Sequence, residues 1–233
     1  MVKLFFAMLL ICSLIPAPAI SQQLGLIDHT RTEEFDFSVL YSYSRADFSP
    51  DDSSLDNQEL INQILGLRVN FRVSPQLQVY GLFGTTDTEF GDDSFDDGKV
   101  LGLGFQFLIE DDPDLYMKLT GNFANHDKQD QQGGAGELEI TSDWQLGFLL
   151  GRQTSYTNDS NRTDSFHTYT GLLYSRREVD FSNGPEASYE LDKFSGLSAT
   201  AGILYDVTDY LSLELEGQAG AIEAITGSFN YYF

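Results

Sequence analysis

From Phe35 onward, large apolar residues alternate with small or polar ones at a period of two. That period predicts strands with two unlike faces, since successive side chains on a strand point to opposite sides. Ten runs carry the pattern: 35–43, 65–73, 77–83, 101–109, 115–123, 138–150, 164–179, 197–205, 211–215 and 225–233. In the sixth, Leu138, Ile140, Trp144, Leu146, Phe148 and Leu150 oppose Glu139, Thr141, Asp143 and Gln145. In the seventh, Leu172-Leu173 interrupts the alternation and leaves its faces unassigned.

The connections alternate in length. Ser74-Pro75-Gln76, Asp111-Asp112-Pro113-Asp114 and Asp206-Val207-Thr208-Asp209 are tight turns. The segments 46–57, 86–98, 125–136 and 180–188 are longer, polar and acidic. Two connections fit this scheme less well: 154–163 is long for a turn and 217–220 is short for a loop. Rows such as Leu101, Leu103, Phe105, Phe107 and Ile109 form an apolar patch that a soluble monomer does not readily expose. No later stretch is continuously apolar over the ~20 residues of a membrane helix. The expectation is an all-β, transmembrane, antiparallel up-and-down barrel of about ten strands, eight being the nearest alternative.

The first residues read as a secretory signal peptide over 1–21: Lys3, an apolar stretch from Leu4 to Ile15, and small residues at Ala19 and Ser21. Residues 22–32 then form a periplasmic tail and 33–233 the barrel domain. Cys12, the sole cysteine, falls inside the leader, so the exported chain has no disulfide. The formal net charge of -23 excludes a phosphate-backbone partner such as nucleic acid. With 18 Phe and 12 Tyr the acidity does not indicate disorder. The three histidines, His29, His126 and His167, are scattered, against a zinc site.

The leader, the ten runs, the turn Val73-Ser74-Pro75-Gln76-Leu77 and terminal Phe233 resemble the small monomeric outer-membrane β-barrel proteins of Gram-negative bacteria. The resemblance implies an outer-membrane location, short periplasmic turns and longer outer loops. It implies contact with membrane lipid and lipopolysaccharide, and handling by the barrel-assembly machinery. In that class the terminal aromatic strand is the assembly signal, a role that would fall to Phe229, Tyr231 and Phe233.

With Phe233 facing lipid, the opposite parity lines the lumen. Its charges are expected to form a cluster in which Arg68, Arg72 and Lys118 pair with Glu139, Asp143, Glu214 or Glu216, because an unpaired charge in a narrow interior is costly. Small barrels are usually filled by side chains, and aqueous porins need ~16–18 strands. The expected role is therefore structural or surface-interacting, with a narrow small-solute channel as the alternative. Loop carboxylates such as Asp92, Asp93, Asp96 and Asp97 fail the calcium-loop spacing. No cofactor is expected beyond loose loop binding of calcium or magnesium.

Catalysis is not expected. The ten-stranded outer-membrane proteases carry two acidic pairs at the rim, one of which includes a histidine, and no Asp-x-His occurs here. Barrel phospholipases use His-x-Ser, whereas His167 is followed by Thr168-Tyr169. Ser165 and His167 share a strand face, the one arrangement that could bring a base toward a nucleophile. A membrane-bound lipid- or peptide-hydrolysing enzyme is the second alternative.

Overall fold

The computed structural model describes residues 35–48, 58–112, 115–157, 163–183 and 188–233. The leader, the tail, Glu34 and the loop carboxylates Asp51, Asp52 and Asp56 lie outside the described residues. Ten long strands follow one another: β1 (Phe35–Phe48), β2 (Gln58–Arg72), β3 (Leu77–Phe90), β4 (Gly98–Asp112), β5 (Leu115–His126), β6 (Gly136–Thr157), β7 (Thr163–Asn183), β8 (Ser188–Thr208), β9 (Leu211–Gly220) and β10 (Glu223–Tyr232). Each pairs antiparallel with its neighbours in sequence. β1 and β10 close the ring, from Asp36↔Tyr232 to Arg45↔Glu223. Closure satisfies every strand edge within the bilayer, where no water is present to do so.

The alternation sorts the side chains as their chemistry requires. Val39, Leu67, Phe83, Leu103, Phe148 and Phe229 project outward, and the residues between them are buried inside. Tyr231 and Phe233 face outward and pack with Phe37 of β1, ring centroids 5.5 and 5.4 Å apart. At the seventh strand Leu172 lies outside, 62 % exposed, and Leu173 inside, 1 % exposed. Leu172-Leu173 is an ordinary in–out pair whose inward member is apolar.

Two expectations need correction. A register shift between Ile140 and Ser142, where β6 pairs β7, reverses the parity of the first residues of β6. Leu138 and Ile140 therefore point inward, each 1 % exposed. Glu139 takes the outward position and is no part of the luminal charge cluster. A bulge inserts one residue into one strand only, so alternation along β6 alone does not reveal it. Second, the described residues of 154–163 and 180–188 are strand. β6 and β7 stay paired from Gly136↔Asn183 to Thr157↔Thr163. β6 to β8 run 21 or 22 residues, against 10 in β9 and β10. At ~3.3 Å per residue that is ~70 Å against ~33 Å, so one side of the barrel stands far beyond the lipid belt. Hydrogen-bonded pairing outlasts the apolar pattern because the solvated rim carries no apolar requirement.

The interior is packed. At the outer end Ala46, Phe48, Leu60, Phe90, Leu138, Ile140, Val179 and Ile222 converge around Phe95, which is 0 % exposed. Phe95 comes from the connection between β3 and β4, which folds into the mouth. Its backbone bridges Gln131 of the connection between β5 and β6. Asp96 N donates to Asp130 O at 2.9 Å, and Gln132 N to Ser94 O at 2.9 Å. Gly91, at φ 60°, supplies the left-handed turn that begins this re-entry. Deeper inside, Leu40, Ile64, Tyr80, Leu82, Val100 and Ala124 line one side. Leu108, Tyr116, Leu149, Tyr169 and Leu173 line another.

Three of the inward tyrosines sit directly opposite a glycine: Tyr80↔Gly104, Tyr116↔Gly151 and Tyr169↔Gly202. A Cβ at any of these glycines would overlap the ring. The missing side chain lets each ring lie flat along the wall, so a narrow lumen can hold it.

Candidate functional site in the lumen

Beneath the outer cap lies an ion pair. Asp143 of β6 stands directly across from Arg177 of β7. Arg177 Nε and Nη2 both reach Asp143 Oδ2, at 2.9 and 2.7 Å, and both side chains are 0 % exposed. His126 at the end of β5 places Nε2 3.9 Å from the same oxygen.

The second polar group joins β7, β9 and β10. Tyr169 Oη lies 2.9 Å from Glu214 Oε1 and 2.6 Å from Glu216 Oε2. Ser228 Oγ donates to Glu214 Oε2 at 3.1 Å. On the adjoining wall, Arg68 Nη2 donates to Ser38 Oγ and Asn230 Oδ1, each at 3.1 Å. Its guanidinium rests 5.8 Å from the Tyr80 ring centroid. Lys118 Nζ donates to Gln106 Oε1 at 3.4 Å and lies 5.5 Å from the Tyr116 ring centroid.

The expected cluster is thus redistributed. Arg68, Lys118, Asp143, Glu214 and Glu216 are buried inside the barrel, and Arg72 is half-buried at an inward position beside a short turn. Asp143, one of the four acids expected to pair with Arg68, Arg72 or Lys118, instead takes Arg177. Arg68 donates to Ser38 and Asn230 and Lys118 to Gln106, and both rest near tyrosine rings, which attract cations through their π faces. Sequence reasoning missed Arg177 and Tyr169 because both lie on the strand whose faces stayed unassigned. The inward column His167, Tyr169, Leu173, Ser175, Arg177 was the signal that would have found them.

Ser165 and His167 do share a face, yet Ser165 Oγ accepts from Gln153 Nε2 at 2.7 Å and lies 3.2 Å from Ser155 Oγ. His167 is buried beside the Tyr116 ring. Among the described residues no group of three or more His, Cys, Asp or Glu is placed to hold a metal ion.

Outside the lipid belt the rim is acidic. Asp47 and Glu59 stand opposite each other, as do Glu139 and Asp180. Arg45 pairs with Glu59, and Lys128 pairs with Glu137. The hydrogen bond from Lys128 holds the Glu137 carboxyl below the usual carboxylate range and raises the ammonium above its own.

A scan of protein-family models finds no match, and neither does a search of curated proteins. Solved structures do match in shape. The translocator domain of the autotransporter NalP from Neisseria meningitidis aligns over 86% of this chain and 89% of its own, with TM-score 0.50 and 9% identity. An outer membrane channel from Pseudomonas putida F1 covers 93% and 100%, with TM-score 0.49 and 10% identity. The outer membrane protease OmpT from Escherichia coli covers 87% and 98%, with TM-score 0.39 and 10% identity. At such identities the likeness concerns the fold. The chain is a closed, ten-stranded antiparallel β-barrel of the outer-membrane type.

Proposed function

We propose that this barrel is a sealed, non-enzymatic component of the outer membrane that acts through its surfaces. The observation that carries the reading is the filled lumen: an apolar cap centred on Phe95, with the Asp143–Arg177 pair directly beneath it. A solute moving through would have to displace both. Inside, Asp143 is engaged by Arg177, Glu216 by Tyr169, and Glu214 by Tyr169 and Ser228.

The working surface is then the acidic outer rim. Its carboxylates would meet divalent cations, lipopolysaccharide or another cell, with magnesium or calcium bridging to lipid phosphates. The chain would act as a monomer. Phe229, Tyr231 and Phe233 would be read by the barrel-assembly machinery, and their outward, lipid-facing placement suits that role.

Reconstitution of the pure protein in planar bilayers tests the reading. It predicts no single-channel events at neutral pH and no turnover of lipid or peptide substrates. Discrete openings would establish the narrow channel, and lipid or peptide hydrolysis would establish the enzyme.

A further inference from the structure

Ten strands form a ring with ten joints, nine of them between neighbours in sequence. In those nine the connecting chain keeps the two strands together even when their hydrogen bonds break. The tenth joint, between β1 and β10, has no such tether. Ser42 and Thr226, which face each other across it, stand 184 residues apart in the chain. This seam holds by pairing alone, from Asp36↔Tyr232 to Arg45↔Glu223. If it parts, two bare strand edges face lipid, where nothing can bond to them.

Side chains fasten the seam on both faces. Outside, Phe37 of β1 packs against Tyr231 and Phe233. Inside, Ser42 Oγ and Thr226 Oγ1 lie 3.0 Å apart. Arg68 reaches further. It stands across from Ser38 of β1, and Ser38 stands across from Asn230 of β10. The guanidinium lies along this row, so that Nη2 donates both to Ser38 Oγ and to Asn230 Oδ1, each at 3.1 Å. One side chain thereby ties β2, β1 and β10. Asn230 is itself held: its Nδ2 donates to Ser212 Oγ of β9 at 3.1 Å, which turns Oδ1 toward Arg68.

The guanidinium is 1 % exposed, and among the described residues its Nε and Nη1 have no hydrogen-bond partner. Glu216 is close enough to offset part of its charge. Burying an incompletely bonded cation still costs stability. An aliphatic side chain would fill this part of the wall without that cost. What it could not supply is the bond across to β10. We propose that Arg68 is the latch of the seam, the side chain that keeps the first and last strands from parting. This goes beyond a sealed lumen: the cap and the Asp143–Arg177 pair block passage along the barrel axis, whereas the latch resists sideways opening of the wall.

Hydrogen exchange of the full protein in detergent micelles, followed by mass spectrometry, reports the opening of each joint separately. The seam (36–45 and 223–232) is compared with the β4–β5 joint (100–108 and 118–126). Arg68→Met keeps a long stem and removes the donors. It should speed seam exchange about tenfold or more, the worth of a hydrogen bond to a charged group, and change the β4–β5 joint by less than about twofold. Asn230→Ala, which leaves the charge in place, should loosen the same joint, and adding it to Arg68→Met should bring little more. In a Cys12→Ser background, a disulfide across the seam from Val39→Cys with Phe229→Cys should return Arg68→Met to wild-type exchange. One across β4–β5 from Leu103→Cys with Phe123→Cys should not. Heat-modifiable gel mobility confirms that each barrel is folded, and Asn230→Ala carries the comparison alone if Arg68→Met does not fold. Equal acceleration at both joints, no acceleration at the seam, or failure of the seam disulfide to restore it overturns the latch. Bilayer conductance, which tests the sealed lumen, is a separate measurement.

Discussion

Replacing Asp143 with asparagine separates charge from shape at the centre of the barrel. The substitution preserves volume, so no cavity forms and the cap above keeps its packing. What changes is that Arg177, 0 % exposed, keeps at most a neutral amide oxygen and loses the negative charge that both Nε and Nη2 contact. Breaking a buried pair from one side leaves an uncompensated charge, which costs about 3–5 kcal/mol. At 1.4 kcal/mol per factor of ten, the folding equilibrium constant should fall by about two to three and a half orders of magnitude. Removing both charges with apolar residues of similar size, Asp143→Leu with Arg177→Met, should recover most of that loss, because neither desolvation penalty then remains. The assay is reversible urea unfolding in lipid vesicles, followed by the fluorescence of Trp144, with gel mobility as a second probe. A cost below about 1 kcal/mol for Asp143→Asn would falsify the picture of a dry pair and indicate that Arg177 reaches solvent.

Three further outcomes follow from the packing. Phe95→Ala removes the centre of the outer cap and should cost about 3–5 kcal/mol, with protease cleavage appearing first in the connection between β3 and β4; an unchanged cleavage pattern would show that the cap does not hold this loop. Gly151→Ala places a methyl group against the Tyr116 ring and should destabilise by about 1–3 kcal/mol in the same urea assay, whereas the double variant with Tyr116→Leu should lose less than the two single changes combined. Tyr169→Phe strips the hydroxyl from between Glu214 and Glu216 and should cost about 1–3 kcal/mol, without opening conductance in planar bilayers.

Much of the architecture was legible in the chain. A lipid-facing wall must be apolar and a narrow lumen mostly polar, so each strand announces its two faces at a period of two. That was enough for the ten strands, the outward placement of Phe229, Tyr231 and Phe233, and the inward placement of Arg68, Lys118, Asp143, Glu214 and Glu216. It was not enough for strand ends, because above the lipid belt the backbone of β6 to β8 continues to pair while the side chains no longer need to alternate apolar and polar.

The partners inside the lumen were beyond reach for a related reason. Alternation is a property of one strand, whereas pairing across the lumen depends on the stagger between strands and on bulges in a single partner. The shift at Ile140/Ser142 shows this most clearly: it leaves the residues of β6 in order, yet sends Glu139 to the rim, brings Leu138 and Ile140 under Phe95, and seats Asp143 against Arg177. Local periodicity therefore settled which side chains could be inside, and the closed ring, through its register, settled which of them meet.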